Sequence, residues 1–351
     1  MVFVQDESIQ GEDAEVGQVG NHRRLPEHTM RCKIRKLENW GDGAKIASAS
    51  FPEGTMKRAI SISLGSSKRD KKVTIKFKDE EILVERVGTD GDVARARQMY
   101  LELDGKVDAF GVGGVDLYLR LDDREYPLHA ALKMVAGVTM TPLCDGRGLK
   151  HTLERRVFVL AREQLGDVHF KQGFVPVAVD RQGLATAVAE VCDKAVFGDL
   201  MVALGVPIPI YGIPAFKRVA RIMLPFVSYF PMSMIFYGSD GAEKEPKYVK
   251  YFEGSDLIAG DFPFMRKYMP ARLDGKTVVT NTTTEDNIEL LKSRGVKTVI
   301  TTTPRYEGRS FGTNMLEAAL TAYAGKGRRL TDEELNEVIE EVGVRPGVVK
   351  L

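Results

Sequence analysis

This chain is short of cysteine, of histidine and of net charge, and each shortage removes a class of function. Its three cysteines in 351 residues, Cys32, Cys144 and Cys192, are odd in number and far apart. That pattern fits neither a disulfide framework nor a CxxC zinc site, and it suits a reducing, cytoplasmic compartment. The five histidines, at 22, 28, 129, 151 and 169, form no HxH, HExxH or paired Cys/His spacing, so no metal site is expected. Fifty Lys and Arg against 49 Asp and Glu leave a formal charge of +1, without the global basic field on which nucleic-acid binding leans. A GxSxG elbow and a GxxxxGK[ST] phosphate loop are both missing.

Long apolar runs are missing too. Residues 200–216 and 222–239 carry no charge, but Pro207, Pro209, Pro214, Pro225 and Pro231 interrupt them. A spanning helix needs about 20 apolar residues, so membrane insertion is not expected, and a buried wall or a homo-oligomer interface through 200–239 is. The first 30 residues lack the apolar core of a secretory signal. Residues 1–55 read as a flexible extension, dispensable or the product of a misassigned start at Met1, because the first convincing strand begins at Ala59, just after Met56.

What is present is ordinary globular material, 43% apolar and 28% charged. Period-two alternation predicts strands at AISISL (59–64), KVTIKF (72–77) and ILVERV (82–87). Helices follow at Val93–Leu103 and about Leu128–Ala136, with a strand at Val107–Gly111 between them. A long helix is expected over Leu153–Leu165, a strand at FVPVAV (174–179) and a helix over Gly183–Phe197. Near the C-terminus the order is strand and helix in turn, ending in a capped helix from Thr331. The fold class is therefore α/β, with two parallel-sheet, Rossmann-like three-layer units: an N-terminal domain over 56–180 and a C-terminal one over 181–351.

In an open parallel sheet, ligands meet the carboxyl ends of the strands. Three C-terminal strands end there in Gly260-Asp261, Asn281-Thr282-Thr283-Thr284 and Thr301-Thr302-Thr303-Pro304, followed by Arg305, Gly308 and Arg309. This collection of amides, hydroxyls and guanidiniums makes a cradle for phosphate or carboxylate. A second basic loop, Asp145-Gly146-Arg147-Gly148, precedes Arg155 and Arg156, cations placed where a helix start disfavours them unless an anion is bound. Cys144 stands beside that loop, but a buried inert thiol is its expected state.

These stretches also carry a resemblance. SLGSSKRDKKVT, ERVGTDGD, DGRGLKHTLERR and the segment from Tyr251 to Leu320 resemble bacterial proteins labelled quinate or shikimate 5-dehydrogenases, from Met56 to the C-terminus. The resemblance implies NAD or NADP as cofactor and a small hydroxy acid as substrate. Ser61 and Ser63 match the family's substrate serines, with Thr89 beside them. Lys78, in Val73-Thr74-Ile75-Lys76-Phe77-Lys78, and Asp90, in Gly88-Thr89-Asp90-Gly91, take the places of its catalytic lysine and aspartate, though the proline of VTxPxK and the asparagine of NTDG are replaced. Gly111-Val112-Gly113-Gly114 echoes its nucleotide turn, and Asn281-Thr282-Thr283 its NTT. The cofactor-binding set implied is Gly146, Gly148, Asn281, Thr282, Thr283, Thr303, Arg305 and Arg309. Only ten residues separate Ser63 from Val73, and twelve Lys78 from Asp90, fewer than the family's helices need.

The expected function is an NAD(P)-dependent oxidoreductase on a quinate- or shikimate-like acid. The alternatives are a non-redox enzyme or sensor for a phosphorylated or carboxylated metabolite, and a partner-binding protein using residues 200–239.

Overall fold

Alternation sets the first strand, Lys57–Ser63 (β1): Ile60 and Ile62 face one way, and Ala59, Ser61 and Ser63 the other. Lys71–Phe77 (β2), Glu80–Gly88 (β3), Ala109–Gly113 (β4) and, beyond a Tyr118–Leu121/Arg124–Pro127 hairpin (β5, β6), Leu143–Cys144 (β7) complete the first sheet, in the order β2-β3-β1-β4-β7. All its pairings are parallel except that of edge strand β2 with β3.

The second sheet is built from Phe170–Val175 (β8), Cys192–Phe197 (β9), Ile210–Tyr211 (β10), Leu257–Ala259 (β11), Thr277–Thr280 (β12) and Thr298–Thr301 (β13). A small hairpin, Arg305–Tyr306 and Arg309–Ser310 (β14, β15), precedes its last strand, Gly347–Lys350 (β16). The order is β10-β9-β8-β11-β12-β13-β16, parallel in the middle and antiparallel at both edges. The chain is α/β with parallel-centred sheets, as the alternating pattern predicts.

This is a computed structural model, and it describes residues 56–235, 245, 247–306 and 308–351. The expected extension, 1–55, and the end of the apolar segment, 236–239, lie outside the described residues. Gly54–Leu351 form one compact unit. The change of sheet comes before residue 180, since β8 already belongs to the second sheet. The Thr313–Ala324 helix then returns to cover the face of the first sheet that carries Ala59, Ala109 and Phe77. Its alanines, Ala318, Ala319 and Ala322, let it lie close between that sheet and the Asp332–Glu341 helix. The opposite face holds the Val93–Leu103 helix through Ala96, Met99 and Tyr100. Helices cover both faces of the second sheet as well.

Three local expectations change. Residues 192–197 form β9 and not the end of a helix: the helix stops at Glu190, and Val196 and Phe197 fill the sheet between β8 and β10. Packing against a sheet overrides weak helical periodicity there. The strand expected at 174–179 runs from Phe170 to Val175 instead. Leu153–Leu165 is not one long helix but three short turns, broken where Arg156 and Ala161 leave helical dihedrals. The apolar segment supplies the Gly212–Val227 helix, with Pro214 in its first turn, where a missing N–H costs little. Among the described residues no helix is long and apolar enough to cross a membrane.

Candidate functional site

Strand order locates the site. In the first sheet β3 and β4 flank β1 on opposite sides, so the connections reverse direction beside Ser63. In the second, β9 and β11 flank β8, and the reversal lies beside Asp180 and Asp261. Ligands bind at such reversals, outside the carboxyl ends of the strands. Both reversals open on one cavity of about 200 Å³. Its wall holds six basic side chains (Arg69, Lys71, Arg86, Lys150, Arg181 and Arg309) against four acidic ones (Asp116, Asp145, Asp180 and Asp261).

One wall belongs to the turn after β1. Ser63 Oγ accepts from Gly65 N and from Arg86 Nη2, each at 3.1 Å. Asp90 Oδ1 accepts from Ser67 N at 2.8 Å and thereby holds the turn that carries Arg69. Gly65 is there because two guanidiniums need the space: a Cβ would stand 2.5 Å from Arg69 Nη2 and 3.0 Å from Arg86 Nη2. Burial and then Arg69 push the Arg86 guanidinium down to about 10, only partly offset by Asp70 at 2.8 Å. Arg69 Nε is buried without a hydrogen-bond partner. Like charges so placed are relieved by an anion between them. Gly65→Ala should therefore displace both arginines and weaken small-anion binding about tenfold or more, with little change in melting temperature; titration calorimetry beside a thermal melt reads both.

Behind this wall lies an ion network from both sheets. Lys150 Nζ donates to Asp116 Oδ1 and Oδ2 at 2.7 and 2.8 Å and stands 3.6 Å from Asp180. Burial opposes its charge, yet Asp116 and Asp180 hold the ammonium more firmly protonated than usual. Burial lifts the Asp116 carboxyl to about 7, against the pull of Lys150. Arg181 donates to Glu154 Oε1 at 2.5 Å and to Asp261 Oδ1 at 3.0 Å. Asn281 completes the set, its amide nitrogen 2.6 Å from Asp261 Oδ1 and its oxygen 3.0 and 2.9 Å from Arg181 Nη1 and Nη2. Thr302 Oγ1 also donates to Glu154, at 3.1 Å.

The expected site residues divide sharply. Ser61, Ser63, Asn281, Thr282, Thr283 and Arg309 meet in the cavity wall. Ser61 and Ser63 share one face of β1, and Ser61 Oγ accepts from Asn314 Nδ2 at 2.8 Å. Thr282 holds φ 53°, an uncommon strain for a β-branched residue. Thr89 lies behind the wall, its N–H donating to Ser63 O at 2.8 Å.

Lys78 is not brought to the site: it turns the β2–β3 corner at the surface, bonded to Glu341 at 2.8 Å. The cavity is lined by Lys71, at the other end of β2, roughly 23 Å away along an extended strand. Asp90 is exposed and holds a turn, so the implied Lys78–Asp90 pair does not form. The buried lysine–aspartate pair of the cavity is Lys150 with Asp116. Gly146 and Gly148 are packing positions, facing Thr313 and Leu335. Thr303 Oγ1 donates to Phe311 O, and Arg305 Nη2 to Gly308 O, both at 2.7 Å.

The basic loop is already neutralised by the protein: Arg147 pairs with Asp145 and Glu125, Arg155 with Glu190, and Arg156 with Glu340. The Gly111–Gly114 turn leads into no helix. A Cβ at Gly113 would stand 2.7 Å from Ser63 Cβ, so this glycine makes room for β1. Cys144 is buried against Thr321, and burial pushes its thiol up. Sequence reasoning missed Arg69, Arg86, Asp116, Lys150 and Arg181. Arg86 carries a readable signal, a charge in phase with the buried Ile82 and Val84.

A second cavity, of about 680 Å³ and mostly apolar, lies under the Gly212–Val227 helix and shares Pro263 and Phe264 with the first. Asp199 lines it, and burial pushes that carboxyl up to about 7. A folded-state value above the unfolded one contributes stability below the unfolded pKa, and that contribution is lost as pH rises toward 7. Asp199→Asn should flatten this fall, gaining up to ~4 kcal/mol over the parent at pH 8 and little at pH 4. Denaturant melts across that range measure it.

Comparison with known proteins adds two family models. One, described as Domain of unknown function (DUF8754), matches residues 148–351, and another, Domain of unknown function (DUF8753), matches 58–145. The cavity draws residues from both stretches. No curated protein matches. Among solved structures, Entamoeba histolytica malic enzyme is 10% identical at a TM-score of 0.34, covering 70% of this chain and 50% of its own. The chain thus spans half the length of that enzyme. A glutamate dehydrogenase is 13% identical at 0.32, covering 82% and 70%. GanP, a glucose-galactose binding protein from Geobacillus stearothermophilus, is 9% identical at 0.32, covering 84% and 98%.

Proposed function

Because this chain belongs to the family described as Domain of unknown function (DUF8754), a name that brings no activity with it, we propose a function from the cavity itself: it binds a small metabolite bearing a carboxylate or phosphate and exchanges a proton with it. The observation that carries this is the pair of guanidiniums, Arg69 and Arg86, both within 3.0 Å of one point beside Gly65. Arg309 lines the same cavity and adds a third positive charge. Ser61, Ser63 and Asn281 offer hydroxyl and amide groups to the rest of the ligand. Asp116, lifted to about 7, can hold or release a proton at neutral pH, with Lys150 positioning it.

A finer reading is NAD(P)-linked oxidation of a hydroxy acid such as quinate or shikimate. It is favoured by the side-by-side serines of β1 and by a lysine–aspartate pair in the same cavity. A nicotinamide, when bound, would supply the hydride acceptor, and Asp116 would take the proton of the substrate hydroxyl. The Gly111–Gly114 turn does not fit a pyrophosphate, since Ser63 fills the space above Gly113. The residues that would hold the cofactor are Asn281, Thr282 and the start of the Thr313–Ala324 helix, which has no side-chain cap. Purified protein given quinate or shikimate with NAD or NADP should then produce reduced nicotinamide. No turnover and no nucleotide binding would remove the redox reading and leave anion binding standing. In the anion reading, Arg309→Ala weakens small-anion binding with no nicotinamide requirement.

A further inference from the structure

Large hydrophobic side chains at the surface are ordinary when scattered and informative when they gather. Here they gather. Among the described residues, eight of the twelve exposed ones lie between Leu204 and Met234, on the Gly212–Val227 helix and the segments at its two ends. Helical spacing makes the patch continuous. Phe216, Ala220 and Leu224, four residues apart, form the buried stripe, and Arg218, Ile222 and Phe226 repeat that spacing two positions on, about 200° round the axis. That second stripe faces outward. Ile222 is 61% exposed and Phe226 64%, and Tyr229, in the turn that follows, is 76% exposed with its ring centroid 4.6 Å from that of His129.

The charge on this surface has one sign. Residues 200–239 contain Lys217, Arg218 and Arg221 and no Asp or Glu. Among the described residues, the acid that pairs with this helix is Asp122, which holds Lys217 and stands 3.8 Å from Arg221, itself left largely exposed. Arg218 is exposed as well and pairs with no carboxylate of the described residues. The face is therefore apolar along its stripe and cationic beside it.

We propose that this face docks on a lipid bilayer carrying anionic headgroups, with Ile222, Phe226 and Tyr229 among the upper acyl chains and Arg218 and Arg221 on the lipid phosphates. Lying in the interface needs no spanning length, which suits a helix of 16 residues. Two features select a lipid surface over a second copy of this chain. A two-fold dimer through the patch would present the same cations from both sides, with no acid on it to pair them. The stripe also offers little hydrogen bonding beyond the Tyr229 hydroxyl and the guanidiniums, whereas a protein interface of ordinary size carries about ten direct hydrogen bonds. No residue of this face lines the anion cavity, so the inference does not rest on the function proposed there.

The test is sedimentation of the full chain with vesicles of phosphatidylcholine alone and of phosphatidylcholine mixed with an equal amount of phosphatidylglycerol. The protein should bind the mixed vesicles about tenfold or more tightly than the neutral ones, and added salt should erase that preference. Phe226→Ser should weaken binding to the mixed vesicles about tenfold or more. The Arg218→Gln/Arg221→Gln double variant should lose the preference for phosphatidylglycerol, and it alters only exposed side chains, so it decides the matter if Phe226→Ser does not fold. Small-anion binding by both variants should stay at the parent level. No vesicle binding, equal binding to the two compositions, or parent-like binding by the folded variants overturns the proposal. Self-association of the parent that Phe226→Ser dissolves, without vesicle binding, would give the face to a second copy and overturn it too.

Discussion

Arg181→Met should destabilise the protein by about 3–5 kcal/mol, as removal of one member of a buried ion network does. Glu154 and Asp261 would lose their cation, and Asn281 its two donors. Burial disfavours the charge on Arg181, yet Glu154, Asp261 and Asp180 more than offset it, so the network is a closed set and not a loose surface contact. Urea denaturation at pH 7.5 checks the size of the loss. A change within about 0.5 kcal/mol, the ordinary range for surface substitutions, would show that the network does not join the two sheets as described.

Lys150→Met should cost a similar ~3–5 kcal/mol near pH 8, and the cost should depend on pH. Without the ammonium, Asp116 and Asp180 would be two buried carboxyls sharing one place, and one of them must take a proton. Burial already raises Asp116, and Lys150 is the largest force opposing that rise. The variant's folded-state pKa therefore climbs further above the unfolded value. Stability tied to that proton is present at low pH and lost as pH rises through the folded-state pKa, so the deficit should shrink on acidification toward pH 5. Melts of parent and variant across pH 5–8 read it. A deficit independent of pH would contradict the buried pairing.

Much of the fold was legible because its period is clean. β1 and β2 follow from alternation, and the Asp332–Glu341 helix from Thr331, which forms a capping box. Residues 192–197 were not legible, because their place in a sheet is decided by β8 and β10 on either side. At the site, Ser61 and Ser63 came only from what the family resemblance implies, and Asn281 to Thr283 from the strand end they occupy. Lys78 misled because a lysine at a motif's spacing says nothing about which end of a hairpin it turns, and Asp90 because a turn-holding carboxylate has the same local sequence as a catalytic one. The pairing of Asp116 with Lys150, 34 residues apart, exists only through strand order. Arg181 likewise gains its meaning from Glu154 and Asp261, on other elements.

The central claim is that Arg69 and Arg86 receive a small anion, and titration calorimetry of quinate and of inorganic phosphate into the parent and into the Arg69→Met/Arg86→Met double variant tests it most directly. The account predicts one site per chain in the parent for at least one of the two anions, weakened by added salt, and at least about a hundredfold weaker binding in a double variant that still folds. Equal binding by parent and folded double variant, or none by the parent at low salt, would contradict it.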